Sequence, residues 1–252
     1  MVETLAFIFG ICIGSFLNVC IFRLPEGRSI VHPASACMAC ARPIRWYDNI
    51  PVLSYILLRG RCRRCGSRFS VRYPLVELMT GLLAAALCRR FGCSFEAGVY
   101  FVFAAALTVV TFIDIDHRII PDIITLPGIP LGLAAAFGPT QLGWPDALFG
   151  ILCGGGSLLA VAWLYRLMTG KEGMGGGDIK PLAMIGAFVG WKGVLLTIFT
   201  ASAVGTFTGL LLMVRQKKNM KLAIPFGPFL AIGAMLHLFF GEAIIAWYLG
   251  GM

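Results

Sequence analysis

The sequence predicts an all-α polytopic membrane protein with about eight transmembrane helices and a small cytoplasmic segment between helices 1 and 2. Of its 252 residues, 58% are hydrophobic and only 13% are charged, whereas soluble proteins average about 25% charged residues. Mean hydropathy is +0.85. Apolar runs close to the ~20 residues that a helix needs to cross a bilayer fill most of the chain.

The first predicted span covers residues 4–22. A cleaved signal peptide would carry basic residues before its apolar run and small residues at a cleavage site. Here Glu3 is the only charged side chain before the run, and the first basic residues, Arg23 and Arg28, follow it. We therefore expect a retained helix whose N-terminus lies outside the cytoplasm.

Residues 23–73 form the one sizeable polar segment, with ten of the 21 Lys and Arg residues and four of the nine cysteines. Its cysteines form two CxxC pairs, Cys37 with Cys40 and Cys62 with Cys65, and this spacing predicts a structural zinc site. A segment of about fifty residues has a marginal core, which a metal would stabilise. A reducing cytoplasm argues against the alternative of disulfides.

The rest of the chain alternates apolar runs with short polar breaks, and residues 241–252 are interpreted as a short interfacial tail. Placing 23–73 in the cytoplasm puts eighteen Lys and Arg inside and three outside, so the positive-inside rule sets the orientation, with both termini outside. The net charge of +9 thus reflects topology, and no nucleic-acid partner is expected. The seven further spans are predicted at 74–88, 97–113, 123–138, 147–168, 179–191, 193–214 and 222–240.

Two aspartates lie near the predicted cytoplasmic face, Asp114 at the end of one span and Asp178 at the start of another. A carboxylate in a membrane helix is costly, about 2.5–3.5 kcal/mol at the bilayer centre, and therefore often functional. Two adjacent carboxyl groups share a proton, so one can act as base toward water while the other donates to a carbonyl. The same acids also suit a proton-coupled transporter, or they could simply cap helices and pair with Arg118 and Lys180.

A glycine-rich run, 173–177, precedes Asp178. Glycine permits close backbone approach, so Gly175 and Gly177 are predicted to let an extended substrate reach the aspartates. The alternative is that they only leave room for Asp178. Because a helix dipole disfavours negative charge at its C-terminus, we expect Asp114 to hold the shared proton more often than Asp178.

Six motifs in order along the chain resemble the bacterial type IV prepilin peptidases, the bifunctional leader peptidase/N-methyltransferases of pilus and type II secretion systems. The motif ending in Asp178 is similar to the GxGD signature of intramembrane aspartic proteases. The motifs are Gly14-Ser15-Phe16-Leu17-Asn18-Val19 with Arg23-Leu24-Pro25; the two CxxC pairs; Trp46-Tyr47-Asp48-Asn49-Ile50-Pro51; Arg72-Tyr73-Pro74-Leu75-Val76-Glu77; Asp114-Ile115-Asp116-His117 running to Pro121-Asp122; and Gly175-Gly176-Gly177-Asp178.

The resemblance implies an enzyme of the bacterial inner membrane that cuts the leader of prepilins or pseudopilins. It further implies methylation of the new N-terminus with S-adenosylmethionine, and it makes Asp114 and Asp178 the catalytic pair. Asn18, Arg23 and Glu77 are expected to contact substrate or cofactor.

The implied division is a first transmembrane helix at 1–22, a zinc segment associated with methyl transfer at 23–73, and a peptidase domain at 74–252. Three alternatives stay open. They are a peptidase without methyl transfer, a proton-coupled transporter using the same carboxylates, and a zinc-stapled membrane scaffold with no chemistry.

Overall fold

The computed structural model describes residues 1–138, 140–170, 176–216 and 225–250. Within these residues all regular elements are helices, and β-structure is limited to two isolated bridges. The sequence predicted this all-helical class. Short 3-10 turns occur at Leu24–Glu26 and Trp46–Asn49. The α-helices are α1 (Val2–Arg23), α2 (Leu53–Leu57), α3 (Arg72–Phe91), α4 (Phe95–His117), α5 (Asp122–Ala135), α6 (Trp144–Thr169), α7 (Ile179–Gln216) and α8 (Gly227–Gly250).

Five of the described helices are long and apolar enough to cross a membrane, namely α1, α4, α6, α7 and α8, and α5 is a shorter apolar helix. Together with the 20-residue α3 and a break inside α7, they account for the eight predicted spans. The prediction of an all-α polytopic membrane protein is confirmed. One predicted bound is wrong: α8 continues past the predicted end of its span at residue 240 to Gly250, because most of the residues that follow Gly241 are apolar.

The break in α7 lies at Gly190, whose φ of 68° and ψ of 178° are not helical. L-residues rarely adopt this conformation, which explains a glycine here. It separates the helix into two parts that correspond to the predicted spans 179–191 and 193–214.

The chain forms two compact units, Met1–Val109 and Val110–Met252, and the boundary falls inside α4. In the first unit α1 packs on α3 at glycine contacts. A Cβ on Gly10 would lie 2.8 Å from the Gly81 Cα, and one on Gly14 would lie 2.7 Å from the Glu77 Cα. Small residues four positions apart let membrane helices approach this closely.

In the second unit α6 and α8 both pack on α7. On one side Gly154 of α6 lies against the Leu182 backbone. On the other side Gly233 of α8 lies against Thr197, and a Cβ on Gly205 would contact Phe229. Since contacts at higher residue numbers of α7 pair with lower numbers of α8, the two helices are antiparallel. The N-terminus of α8 therefore lies beside Gly205.

Candidate active site

Asp114 is buried near the C-terminal end of α4, with 5% of its surface exposed. Its Oδ2 accepts a hydrogen bond of 2.8 Å from the backbone N–H of Gly227, the first residue of α8. A Cβ on Gly227 would lie 2.7 Å from that same oxygen, so only glycine allows the backbone to come this close. The carboxylate is thus held at a helix N-terminus, where the free N–H groups and the dipole favour negative charge.

The contact of Gly227 with Asp114 was not identified by the sequence reasoning. The available signal was Pro228 after Gly227, because proline is common at the first positions of a helix and marks its start. That signal locates the N-terminus of α8. It does not indicate which side chain, 113 residues earlier in the chain, the terminus contacts.

Asp178 is half-buried and immediately precedes α7. Burial, and secondarily the negative charge of Asp114, raise the pKa of Asp178 to about 6. A second contact joins the same two regions, since the Lys180 Nζ lies 2.6 Å from the Asp122 Oδ2 at the start of α5. The second unit therefore brings the two predicted aspartates close enough to interact electrostatically.

The structure adds a contribution that the expectation for the shared proton did not include. The expectation used only the C-terminus of α4, whose dipole disfavours a charged Asp114. The N-terminus of α8 and the Gly227 N–H act on the same carboxylate and oppose that effect. The pKa of Asp178 is raised to about 6, so both carboxyl groups must be considered as holders of the shared proton.

The glycines before Asp178 are only partly described, because Gly175 lies outside the described residues. Gly176 and Gly177 are exposed. Among the described residues, no atom lies within 4 Å of the position that a Cβ would take on either one. These two glycines are therefore not required by the packing of the described protein.

The four predicted metal ligands, Cys37, Cys40, Cys62 and Cys65, lie together, with all Sγ atoms within 4.8 Å of one another. The Cys37 and Cys65 sulfurs are 3.7 Å apart. A tetrahedral site with metal–sulfur bonds of about 2.3 Å requires sulfurs about 3.8 Å apart. The cluster therefore fits one metal ion bound by four thiolates.

The hydroxyl of Ser67 lies 3.4 Å from the Cys37 sulfur and 3.1 Å from the Cys65 sulfur. Its hydrogen bond is the main cause that lowers the pKa of Cys37 to about 6, and it also lowers the pKa of Cys65. Thiolates are the form that binds a metal.

The two CxxC turns have the same backbone pattern. The Cys37 N–H donates to the Arg42 carbonyl, and the Cys62 N–H donates to the Ser67 carbonyl. In each turn the residue after the second cysteine returns a hydrogen bond to the first cysteine and has a positive φ, 53° at Ala41 and 71° at Gly66. The two CxxC pairs therefore lie in two turns of the same type.

The structure gives Asn18, Arg23 and Glu77 backbone partners within the first unit. The Asn18 amide donates to the Tyr73 carbonyl, and Arg23 donates to the carbonyls of Ser29 and Pro33. The buried Glu77 accepts a 2.7 Å hydrogen bond from the Val52 N–H, at the start of α2. Asn18 therefore joins α1 to the first turn of α3, whereas Arg23 and Glu77 hold parts of the segment between these helices against them.

Sequence comparisons identify the family of the chain. A family model described as the bacterial peptidase A24 N-terminal domain matches residues 8–91, and one described as the type IV leader peptidase family matches residues 101–210. The chain is 41% identical to a prepilin leader peptidase/N-methyltransferase of Pseudomonas putida, covering 96% of this chain and 92% of the relative. It is 39% identical to the protein of that name in Aeromonas hydrophila, covering 98% and 93%. No solved structure matches the chain significantly.

Proposed function

The chain belongs to the type IV leader peptidase family, and from this premise we propose how its residues carry out the two activities for which its relatives are named. It is a prepilin leader peptidase and N-methyltransferase. It cleaves the leader from type IV prepilins or pseudopilins, and it then methylates the new N-terminal residue. The observation that carries the peptidase mechanism is the hydrogen bond from the Gly227 N–H to Asp114. The raised pKa of Asp178 supports Asp178 as the partner that holds the shared proton.

Asp114 and Asp178 are the catalytic pair. The ionised Asp114 takes a proton from a water, whose oxygen attacks the scissile carbonyl carbon, while Asp178 donates its proton to the carbonyl oxygen. When the tetrahedral intermediate collapses, Asp114 passes the proton to the leaving amine, and Asp178 recovers its own. No metal or side-chain nucleophile takes part in this step, and both carboxyl groups return to their starting states.

The glycine run admits the substrate backbone. The open space around Gly177 supports this role over the alternative that glycine only leaves room for Asp178, since a side chain there would meet no described part of the enzyme. Gly175 is assigned the same role from the motif alone.

The protein is placed in the inner membrane, with residues 24–73 and both aspartates at the cytoplasmic face and both termini outside. The distribution of eighteen inside against three outside basic residues supports this orientation. A prepilin helix in the same bilayer would present its basic leader at that face. The functional division into 1–22, 23–73 and 74–252 follows from this arrangement.

The four cysteines hold structural Zn²⁺, which the cytoplasmic segment needs because its own core is small. When bound, S-adenosylmethionine supplies the methyl group for the new N-terminal amine. Arg23 and Glu77 act in methyl transfer by holding the zinc segment against the membrane helices, because their polar atoms are already engaged with the backbone of that segment. Asn18 acts by joining α1 to the first turn of α3, directly after that segment.

The test is cleavage of a purified prepilin by enzyme in detergent, with mass spectrometry of the product N-terminus. Asp114→Asn and Asp178→Asn should each lower the cleavage rate at least ~10²–10⁴-fold, the usual contribution of a general acid or base. Asp146→Asn is the matched control, because Asp146 lies in the first turn of α6 and bonds the Trp191 indole.

Retained cleavage in either active-site variant would refute the pair. A wild-type product without the added mass of one methyl group would indicate a peptidase that has no methyltransferase activity. Absence of cleavage by the wild type would favour the transporter or the scaffold.

A further inference from the structure

Two cysteines outside the metal cluster lie next to each other at the turn between α3 and α4. The Cys88 and Cys93 sulfurs are 2.8 Å apart. Cys88 is buried in the last turn of α3, and Cys93 is exposed two residues past the end of that helix. A disulfide has a sulfur–sulfur distance of about 2.0 Å, so closing the bond requires a movement of less than about 1 Å.

The turn holds the two sulfurs together without a covalent bond. Gly92 directly follows α3 with a φ of 69° and a ψ of −178°, a conformation that suits glycine and ends the helix. Phe91 packs on Tyr100 with ring centroids 4.9 Å apart, and the Ser94 hydroxyl accepts a hydrogen bond from the Ala97 N–H at the start of α4. The Cys88 and Cys93 sulfurs are therefore held close together by the packing and hydrogen bonds of the turn.

This turn lies at the opposite end of α3 from the metal-binding segment. The 20 residues of α3 extend about 30 Å, which matches the thickness of the bilayer hydrocarbon core. In the proposed orientation the turn thus faces the periplasm, where disulfides form, while the four metal-binding cysteines face the reducing cytoplasm.

We propose that Cys88 and Cys93 form a disulfide that closes the α3–α4 turn in the mature protein. The oxidant is a disulfide of a periplasmic thiol oxidase. The exposed Cys93 thiolate attacks that disulfide and releases one oxidase thiol. The Cys88 thiolate then attacks the Cys93 sulfur and releases the second. Two protein thiols are oxidised and one oxidase disulfide is reduced, so the electrons balance. The inference rests on the proposed orientation and is independent of the peptidase mechanism.

The experiment uses the full-length protein, extracted from membranes in the presence of N-ethylmaleimide and digested with trypsin. Because exposed Arg89 and Arg90 lie between the two cysteines, a disulfide joins two separate tryptic peptides. We expect this linked pair, separable by reduction, with alkylation lost at both cysteines. In cells lacking the periplasmic oxidase, both cysteines should be alkylated instead.

A second arm tests the orientation with Cys88→Ser, which leaves Cys93 without its partner. A membrane-impermeant maleimide applied to cells with a permeabilised outer membrane should label Cys93. If it does, and both wild-type cysteines are recovered alkylated, the disulfide is refuted while the orientation stands. If Cys93 is labelled only after the inner membrane is opened, the orientation is wrong and the inference fails with it. Prepilin cleavage, measured on the same membranes, reports separately on the proposed function.

Discussion

Replacing Gly227 with alanine should remove most of the peptidase activity although residue 227 itself contributes no reacting group. The added Cβ would lie 2.7 Å from the Asp114 Oδ2, whereas ordinary contacts of this kind begin at 3.4 Å. The carboxylate must therefore retreat by about 0.7 Å, away from the N–H that holds it. Because Asp114 is buried, the displaced anion finds no equivalent solvation.

The magnitude follows from two estimates. A hydrogen bond to a charged group contributes roughly 1.5–3 kcal/mol, which corresponds to about 10- to 100-fold in rate. Misplacing a reacting group by about 1 Å costs about 10²-fold. We therefore expect kcat for prepilin cleavage to fall about 10²-fold, with a smaller effect on KM because the substitution displaces a reacting group.

The assay is steady-state cleavage of purified prepilin, with methylation of an already cleaved pilin measured on the same preparation. Methylation should be unaffected. The matched control is Gly205→Ala, since its Cβ would lie 3.4 Å from the Phe229 ring, an ordinary contact at the same end of α8. If Gly227→Ala cleaved at the wild-type kcat, the idea that the close approach of the α8 backbone positions Asp114 would be refuted.

Three other predictions concern different parts of the molecule. Because Asp178 must be protonated to donate, and its pKa is raised to about 6, kcat/KM should fall about tenfold per pH unit above roughly pH 6; a profile flat to pH 8 or so would contradict this. Gly177→Val should abolish cleavage while membrane insertion and metal content stay at wild-type levels. Full cleavage activity in this variant would refute the proposal that Gly177 admits the substrate backbone. Gly66→Ala should destabilise the metal-bound segment by about 1–2 kcal/mol, because the φ of residue 66 is 71°. Ala41→Gly should not destabilise it, because the φ of residue 41 is already positive, at 53°. The rate of metal release to a chelator measures both effects, and equal rates in the two variants would be evidence against the backbone argument.

Much of the fold was predictable because its determinants are local. The hydropathy of a transmembrane helix is summed over about twenty neighbouring side chains, so the sequence located most of the spans within a few residues. Even the break in α7 lies within two residues of the gap between two predicted spans, at Gly190, whose φ of 68° suits glycine. The end of α8 was misjudged because Gly241 was given the meaning of a boundary, although a single glycine in a helix costs only about 1 kcal/mol.

The metal cluster was predictable for a related reason. Two CxxC pairs specify ligands through spacing alone, and the structure brings all four sulfurs within 4.8 Å of one another. The similarity of the two turns was only partly predictable from the sequence, because a glycine such as Gly66 indicates a positive φ and an alanine such as Ala41 does not. The sequence carries no comparable signal for the pair Cys88 and Cys93, since a spacing of five across a helix end has no fixed geometry.

By itself the sequence determined the all-helical membrane fold, the two aspartates, the four metal-binding cysteines and the family. The tertiary structure alone decided the environment of the aspartates. Asp114 ends one helix and also meets the start of another, 113 residues later in the chain, so the dipole of its own helix is only part of the field that acts on its carboxylate. The physical reason is that hydropathy and motif spacing sum over neighbours in the chain, whereas a buried carboxylate responds to whatever donors and charges the packing of distant helices brings within a few ångströms.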